Sequence, residues 1–152
     1  MTEHRQERER ALTTRLVRLS RLYRQEVNRE LARYGISDAQ AVPVLHIARD
    51  GGGMRQHALA EEIGIRGSSL VRLLDQLCAS GLVERRDDGS DRRAKTLHLT
   101  AAGEALAERV ESALGCLRES LLGPVADDDL AAALRVFEAL EQGLVARGEG
   151  QR

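Results

Sequence analysis

Aromatic residues are scarce in this sequence of 152 residues, which has two tyrosines, one phenylalanine and no tryptophan. The core must therefore be built from aliphatic side chains, chiefly Leu, Val, Ile and Ala. Cysteine is scarce too: Cys78 and Cys116 are too few for a disulfide framework, and both are expected to be small buried apolar residues. The cysteines and the four histidines match no metal-ligand spacing, so neither a metal site nor another cofactor is expected.

Long apolar runs are also missing. No segment reaches the roughly 20 apolar residues needed to cross a bilayer, so no membrane association is expected. The opening segment, MTEHRQERER, is charged and lacks the apolar stretch of a signal peptide, and the expected location is therefore the cytoplasm. The sequence shows no nucleophile–base motif, phosphate-binding loop or paired-carboxylate signature, so an enzyme is not expected.

The chain has no large net charge, since 23 basic and 24 acidic residues give a formal value of -1. This balance argues against a protein that coats nucleic acid non-specifically. The charges are unevenly spread, however: residues 103–152 carry five basic and ten acidic side chains, whereas residues 54–95 carry eight basic and seven acidic ones. A local basic face on one lobe is therefore compatible with the total.

Apolar residues recur at helical spacing along most of the chain. The predicted helices cover residues 12–34, 38–49, 56–63, 67–79, 100–122 and a last segment that begins at residue 127. Gly35 is expected to end the first helix, and a capping box at Ser37–Gln40 to begin the second, which Pro43 should kink. Gly51–Gly53 are interpreted as a flexible loop, and Thr100 as the N-cap of the fifth helix.

Residues 56–79 have the pattern of a helix-turn-helix, with a glycine turn at Gly64 between two helices. Ile63, Leu70 and Leu74 would hold the two helices on a shared core. Polar side chains of the kinds that bond to phosphates or base edges remain on the outside, and they are Gln56, Arg66, Ser68, Ser69, Arg72 and Gln76. An ordinary solvated helix face explains this spacing equally well.

Two short strands, Leu82–Arg86 and Lys95–Leu99, are predicted next, joined by the polar loop Asp87–Ala94. A hairpin directly after a helix-turn-helix is the wing of a winged helix, and arginine suits the negative potential of a narrow minor groove. The alternative is a hydrophilic turn whose aspartates cancel its arginines, but the position favours DNA binding. The candidate wing residues are Arg85, Arg86, Ser90, Asp91, Arg92, Arg93 and Lys95.

The predicted fold is therefore mainly α with a small β-hairpin wing. The apolar stripes of the terminal helices are too long for one small lobe to cover, which indicates a homodimer. We expect residues 1–36 and 100–147 to form a helical dimerisation region, residues 37–99 to form the winged helix-turn-helix DNA-binding region, and residues 148–152 to be a disordered tail.

The stretch LAEEIGIRGSSLVRLLDQLCASGLVERRDDGSDRRAKTLHLTAAG closely resembles the multiple-antibiotic-resistance regulator (MarR) family. The segments SSLVRLLDQL and SDRRAKTLHLT look especially like its SlyA branch. The resemblance implies a two-fold dimer with a recognition helix in the major groove and a wing in the minor groove. By position, it implies that Arg72 contacts bases, that Arg93 is the wing-tip arginine and that Asp91 braces the wing.

Members of this family often bind aromatic carboxylates or phenols between the dimer helices and the DNA-binding lobe. Arg15, Arg18 and His46 are the candidate contacts for such an effector here, although these arginines serve equally well to solvate their helix. The expected function is that of a bacterial repressor that binds a palindromic operator in double-stranded DNA as a homodimer. The alternative is a winged-helix protein-interaction module without specific DNA binding.

Overall fold

The computed structural model describes residues 3–91 and 94–149, so Arg92 and Arg93 lie outside the described residues. The elements follow one another in this order: α1 (Glu3–Leu31), a 3-10 turn (Ala32–Tyr34), α2 (Asp38–Asp50), β1 (Met54–Arg55), α3 (Gln56–Ile63), α4 (Gly67–Ala79), β2 (Val83–Asp87), β3 (Lys95–Leu99), α5 (Ala101–Leu122) and α6 (Asp127–Glu149). The mainly helical fold with a small β wing is confirmed. Over the described ranges, no helix is long and apolar enough to cross a membrane.

The first helix begins earlier than predicted, at Glu3 instead of Leu12. Its first turns are charged and carry no apolar stripe, so the periodicity that revealed the rest of the helix is missing there. Ion pairs along the helix surface, such as Arg5–Glu9 at 2.8 Å, support this segment instead. The helix ends as predicted, because Gly35 adopts a left-handed φ of 67° directly after the 3-10 turn.

The capping box at the start of α2 is confirmed. The Gln40 N–H donates to Ser37 Oγ at 3.3 Å, and the Ser37 N–H donates to Gln40 Oε1 at 3.2 Å. The helix runs through Pro43 to Asp50 without interruption. The Pro43 ring is fully buried.

Gly51–Gly53 form a loop between α2 and β1, as predicted. All three glycines adopt positive φ, from 83° to 101°, and lead into the two-residue strand β1. The Gly53 N–H donates to the Leu97 carbonyl at 2.9 Å, and Met54 pairs with Leu97. The wing is therefore a three-stranded antiparallel sheet in the order β1-β3-β2, in place of the predicted two-stranded hairpin.

Strands β2 and β3 form the predicted hairpin, with register from Val83 opposite Leu99 to Asp87 opposite Lys95. Thr100 caps α5 as predicted, because its Oγ1 accepts the Gly103 N–H at 3.0 Å. The start of α5 lies close to the backbone before β2. A Cβ at Gly103 would lie 2.0 Å from the Leu82 carbonyl oxygen, so the hairpin and α5 are joined by a contact that only glycine permits.

The chain divides into two compact units, Met1–Gly115 and Cys116–Arg152. The aliphatic core lies in the first unit, where the largest fully buried side chains include Leu31, Val44, Ile47, Leu59, Leu70, Leu74, Leu77, Leu97 and Val110. The second unit contains α6, which extends to Glu149. Residues 148 and 149 are therefore helical, which corrects the first part of the predicted tail at 148–152, and residues 150–152 lie outside the described residues.

Candidate DNA-binding interface

The turn between α3 and α4 is held by backbone hydrogen bonds. Gly64 adopts a left-handed φ of 67°, and the Ile65 N–H donates to the Ala60 carbonyl at 3.2 Å. The side chains of Leu59 on α3 and of Leu70 and Leu74 on α4 are fully buried. These contacts fix the two helices as a helix-turn-helix, as the sequence predicted.

The opposite face of α4 is exposed to solvent. Ser68, Ser69, Arg72 and Gln76 lie on it, Arg66 is exposed just before the helix, and Gln56 is half-buried at the start of α3. Val71, which was not predicted as a contact, is exposed on α4 as well. Exposed apolar groups on a recognition helix suit the methyl group of thymine, just as serine, arginine and glutamine suit polar base edges.

Arg66 and Arg72 differ from the other described basic residues of 37–99, because neither makes an ion pair. The remaining basic residues each contact a carboxylate, at Arg49–Glu111, Arg55–Asp88, Arg85–Asp75, Arg86–Glu84 and Lys95–Asp87. A cation without an internal partner can bind a phosphate or a guanine without first breaking a protein contact. The two cations of the helix-turn-helix that make no ion pair are therefore Arg66, directly before α4, and Arg72, within α4.

Three of the predicted wing contacts are already paired within the wing or with α4. Arg85 donates to Asp75 on α4 at 2.7 Å, which ties the base of the wing to that helix. Arg86 donates to Glu84, and Lys95 to Asp87. Exposed pairs of this kind are worth about 0–1 kcal/mol, so DNA phosphates can compete for these cations.

Backbone hydrogen bonds hold Asp91 in the described part of the wing loop. The Asp91 N–H donates to the Asp88 carbonyl at 3.2 Å, and the Asp91 carbonyl accepts from the Ala94 N–H at 3.0 Å. Ser90 and Asp91 are exposed there. The predicted wing arginines, Arg92 and Arg93, lie outside the described residues.

A cluster that joins β1 to the wing loop was not predicted from the sequence. Arg55 donates to Asp88 through Nε at 2.9 Å and Nη2 at 2.6 Å. The Ser90 N–H and hydroxyl hold the pKa of the Asp88 carboxyl well below its usual range, and Arg55 adds to this effect. Arg55 and Asp88 are separated by 33 positions in the chain, so no local pattern reveals the pair.

The structure does not bring the candidate effector contacts together. Arg15 lines a surface depression formed by α1 alone, which includes neither Arg18 nor His46. His46 on α2 contacts Glu62 on α3 instead, with 3.2 Å between Nδ1 and Oε2. Cys78 is half-buried and Cys116 is exposed, so the expectation that both cysteines are buried is wrong for Cys116.

A helix-turn-helix with a three-stranded sheet, whose β1 precedes it and whose β2–β3 hairpin follows it, defines the winged-helix class of DNA-binding regulators. The model of the MarR family matches residues 34–94. Transcriptional regulator PA3341 is 32% identical, with a TM-score of 0.81 over 89% of this chain and 98% of that one. A MarR mutant from E. coli, in complex with operator DNA, is 25% identical, with a TM-score of 0.74 over 87% of this chain and 95% of that one.

The chain belongs to the MarR family of transcriptional regulators. It is a DNA-binding regulator and not an enzyme. The regulator SlyA has the same fold, with a TM-score of 0.82 over 93% of this chain and 99% of that one, but is 14% identical. That likeness shows the fold alone.

Proposed function

We propose that this regulator is a cytoplasmic repressor that recognises an inverted-repeat operator through α4 as a homodimer. The observation that carries the proposal is the unpaired state of Arg66 and Arg72, at the start and in the middle of the exposed face of α4. The other described Arg and Lys residues in 37–99 each form an ion pair with a carboxylate. Arg66 and Arg72 are therefore available to bind the phosphates and the guanine edges of DNA.

The wing would supply a second contact. Arg85, Arg86 and Lys95 lie on β2 and β3, and the sequence has two more arginines, Arg92 and Arg93, between these strands, a composition that suits the minor groove. Phosphate contacts would fix the register of the protein on the duplex, and α4 would read the bases. This division predicts that the wing adds affinity on any sequence, whereas α4 discriminates between sequences.

Dimerisation is supported by apolar residues that one copy of the chain leaves exposed. On α1 these are Leu12, Leu16, Val17, Leu19, Leu22 and Tyr23, and on α6 they are Leu134, Val136, Phe137, Leu144 and Val145. Exposed apolar stripes of this extent mark interaction surfaces. A second copy of the chain provides the matching stripes, because a two-fold interface places the same surface on both sides.

Within the family, we place the chain in the SlyA-like branch on the segments SSLVRLLDQL and SDRRAKTLHLT. We further propose that a small aromatic carboxylate or phenol relieves repression. Arg15, Arg18 and His46 stay the candidate contacts, since a guanidinium binds a carboxylate through two parallel hydrogen bonds. In the dimer, residues from two copies can meet where those of one chain do not.

The test is binding of the purified protein to fragmented genomic DNA, followed by titration of a recovered fragment and a random duplex of equal length. A sequence-specific reader binds the recovered fragment far more tightly, and its affinity falls steeply as salt rises. Equal affinity for both duplexes would contradict specific recognition. Weak binding with little salt dependence would favour the protein-interaction module, whose partner would be another protein.

A further inference from the structure

A partly buried contact holds the wing loop to the strand that precedes α3. Arg55 is the last residue of β1, and Asp88 follows β2 directly in the wing loop. The two residues meet across the sheet although 33 positions separate them in the chain. This contact lies beside the helix-turn-helix but takes no part in its core.

Each oxygen of the Asp88 carboxylate accepts two hydrogen bonds. Its Oδ1 accepts the Ser90 N–H at 2.9 Å and the Ser90 hydroxyl at 2.7 Å, while its Oδ2 accepts Nε and Nη2 of Arg55 at 2.9 and 2.6 Å. Only 14% of the Asp88 side chain is exposed. Because all four hydrogen bonds stabilise the ionised form, Asp88 stays charged at neutral pH.

The loop backbone closes on the same residue. The Asp88 N–H donates to the Ala94 carbonyl at 3.1 Å, and the Asp88 carbonyl accepts from the Asp91 N–H. The side chain and the main chain of Asp88 together therefore hold the described residues of the loop between β2 and β3. Arg55, whose backbone lies at the junction of β1 and α3, ties the loop to that junction.

The sign of the charge indicates what this cluster does. A carboxylate in a DNA-facing wing repels phosphates, so Asp88 weakens binding if it acts through charge alone. Four hydrogen bonds on that carboxylate point to a different role, in which the loop is held in one conformation before DNA arrives. A loop that is already ordered loses less conformational entropy on binding.

We propose that Arg55 is a positioning residue for DNA binding, which acts through Asp88 to fix the wing and does not itself contact DNA. The inference rests on the proposed function, because it concerns the same operator. The competing interpretation is that Arg55 binds a phosphate directly. The two differ in the effect of removing the negative charge of Asp88.

The test compares Asp88→Asn, Arg55→Gln and the double variant in the full-length protein, titrated against an operator duplex recovered as above. Asp87→Asn is the matched control, since it removes the same charge from the neighbouring, exposed wing position. We expect each single variant to lose affinity by about tenfold, the size expected when one or two side chains must be ordered on binding. The double variant should lose no more than either single one, while Asp87→Asn should bind at least as tightly as the wild type.

Two further readouts separate positioning from a phosphate contact. Arg55→Lys, which keeps the charge but loses the two-pronged geometry, should retain only part of the affinity. Trypsin should cut the wing of Asp88→Asn and Arg55→Gln faster than that of the wild type without any DNA present. Wild-type affinity or tighter binding in Asp88→Asn, with normal binding by Asp87→Asn, would overturn the positioning role.

The outcomes also distinguish this inference from the proposed function. If the wild type recovers no specific fragment, the operator proposal fails, and unchanged tryptic cleavage in Asp88→Asn would separately refute the wing restraint. If the wild type binds its operator and Arg55→Gln alone loses affinity, with a shallower dependence on salt, Arg55 contacts a phosphate and the positioning role is wrong.

Discussion

Arg72 lies near the middle of the exposed face of α4, with Ser68 one turn before it and Gln76 one turn after it. Arg72→Ala should therefore reduce discrimination between operator and random DNA, because a bidentate contact to guanine is worth about 1–3 kcal/mol. The measurement is a pair of titrations on the two duplexes. Arg8→Ala, which removes an exposed arginine from the charged start of α1, is the control. Equal weakening on both duplexes would mean that Arg72 contacts phosphate only.

The lowered pKa of Asp88 predicts how the stability of the folded protein depends on pH. Its pKa is lower in the folded protein than in the unfolded chain, where it is about 3.9, so the stability it contributes is present above that pH and is lost as the pH falls through the folded pKa. The melting temperatures of the wild type and Asp88→Asn should thus differ by a constant amount from about pH 8 to pH 5 and converge only in stronger acid. Convergence already near neutral pH would contradict the assignment.

At the scale of the elements, what the sequence predicts correctly is local. Helices with an apolar stripe, the capping box at Ser37–Gln40, and the hairpin were found because each pattern lies within a few residues. Strand β1 was missed because two residues carry no alternation, and its partner β3 lies some 40 positions away. The same reason hides the Arg55–Asp88 contact, whereas the exposed face of α4 follows from helical spacing alone.

The junction between the wing and α5 gives a prediction at this scale. Gly103→Ala should lower the melting temperature markedly, because the new Cβ would lie 2.0 Å from the Leu82 carbonyl oxygen and must displace backbone. Strain of this kind costs about 1–3 kcal/mol. Gly143→Ala is the matched control, since that helical glycine has open space around it and alanine there should be neutral or stabilising. Equal melting temperatures for Gly103→Ala and the wild type would contradict this close contact.

At the scale of the whole molecule, the exposed apolar residues of α1 and α6 must be covered if the protein is to stay in solution. Phe137 on α6 is 47% exposed in one copy of the chain, so Phe137→Glu should leave each copy folded but weaken the dimer. Light scattering and circular dichroism measure the two effects separately. Val42→Glu changes a residue that is 40% exposed on α2, outside the proposed dimer helices, and should remain dimeric. A Phe137→Glu protein that is still fully dimeric at low micromolar concentration would exclude this part of α6 from the interface.

The proposed dimer in turn predicts the form of the operator. In a two-fold dimer each copy would contribute one α4, and the axis would repeat that helix in the opposite direction along the duplex, so the DNA half-sites should form an inverted repeat. Adjacent major grooves on one side of the duplex are a helical turn apart, which places the half-site centres about 10 base pairs from each other. Hydroxyl-radical footprinting on the recovered fragment measures this spacing directly. Inserting about five base pairs at the centre should abolish high-affinity binding, because it turns one half-site to the opposite side of the duplex. Binding that survives the insertion, or a footprint over one asymmetric half-site, would show that a single copy of α4 is sufficient and that the two-fold dimer is not the DNA-binding form.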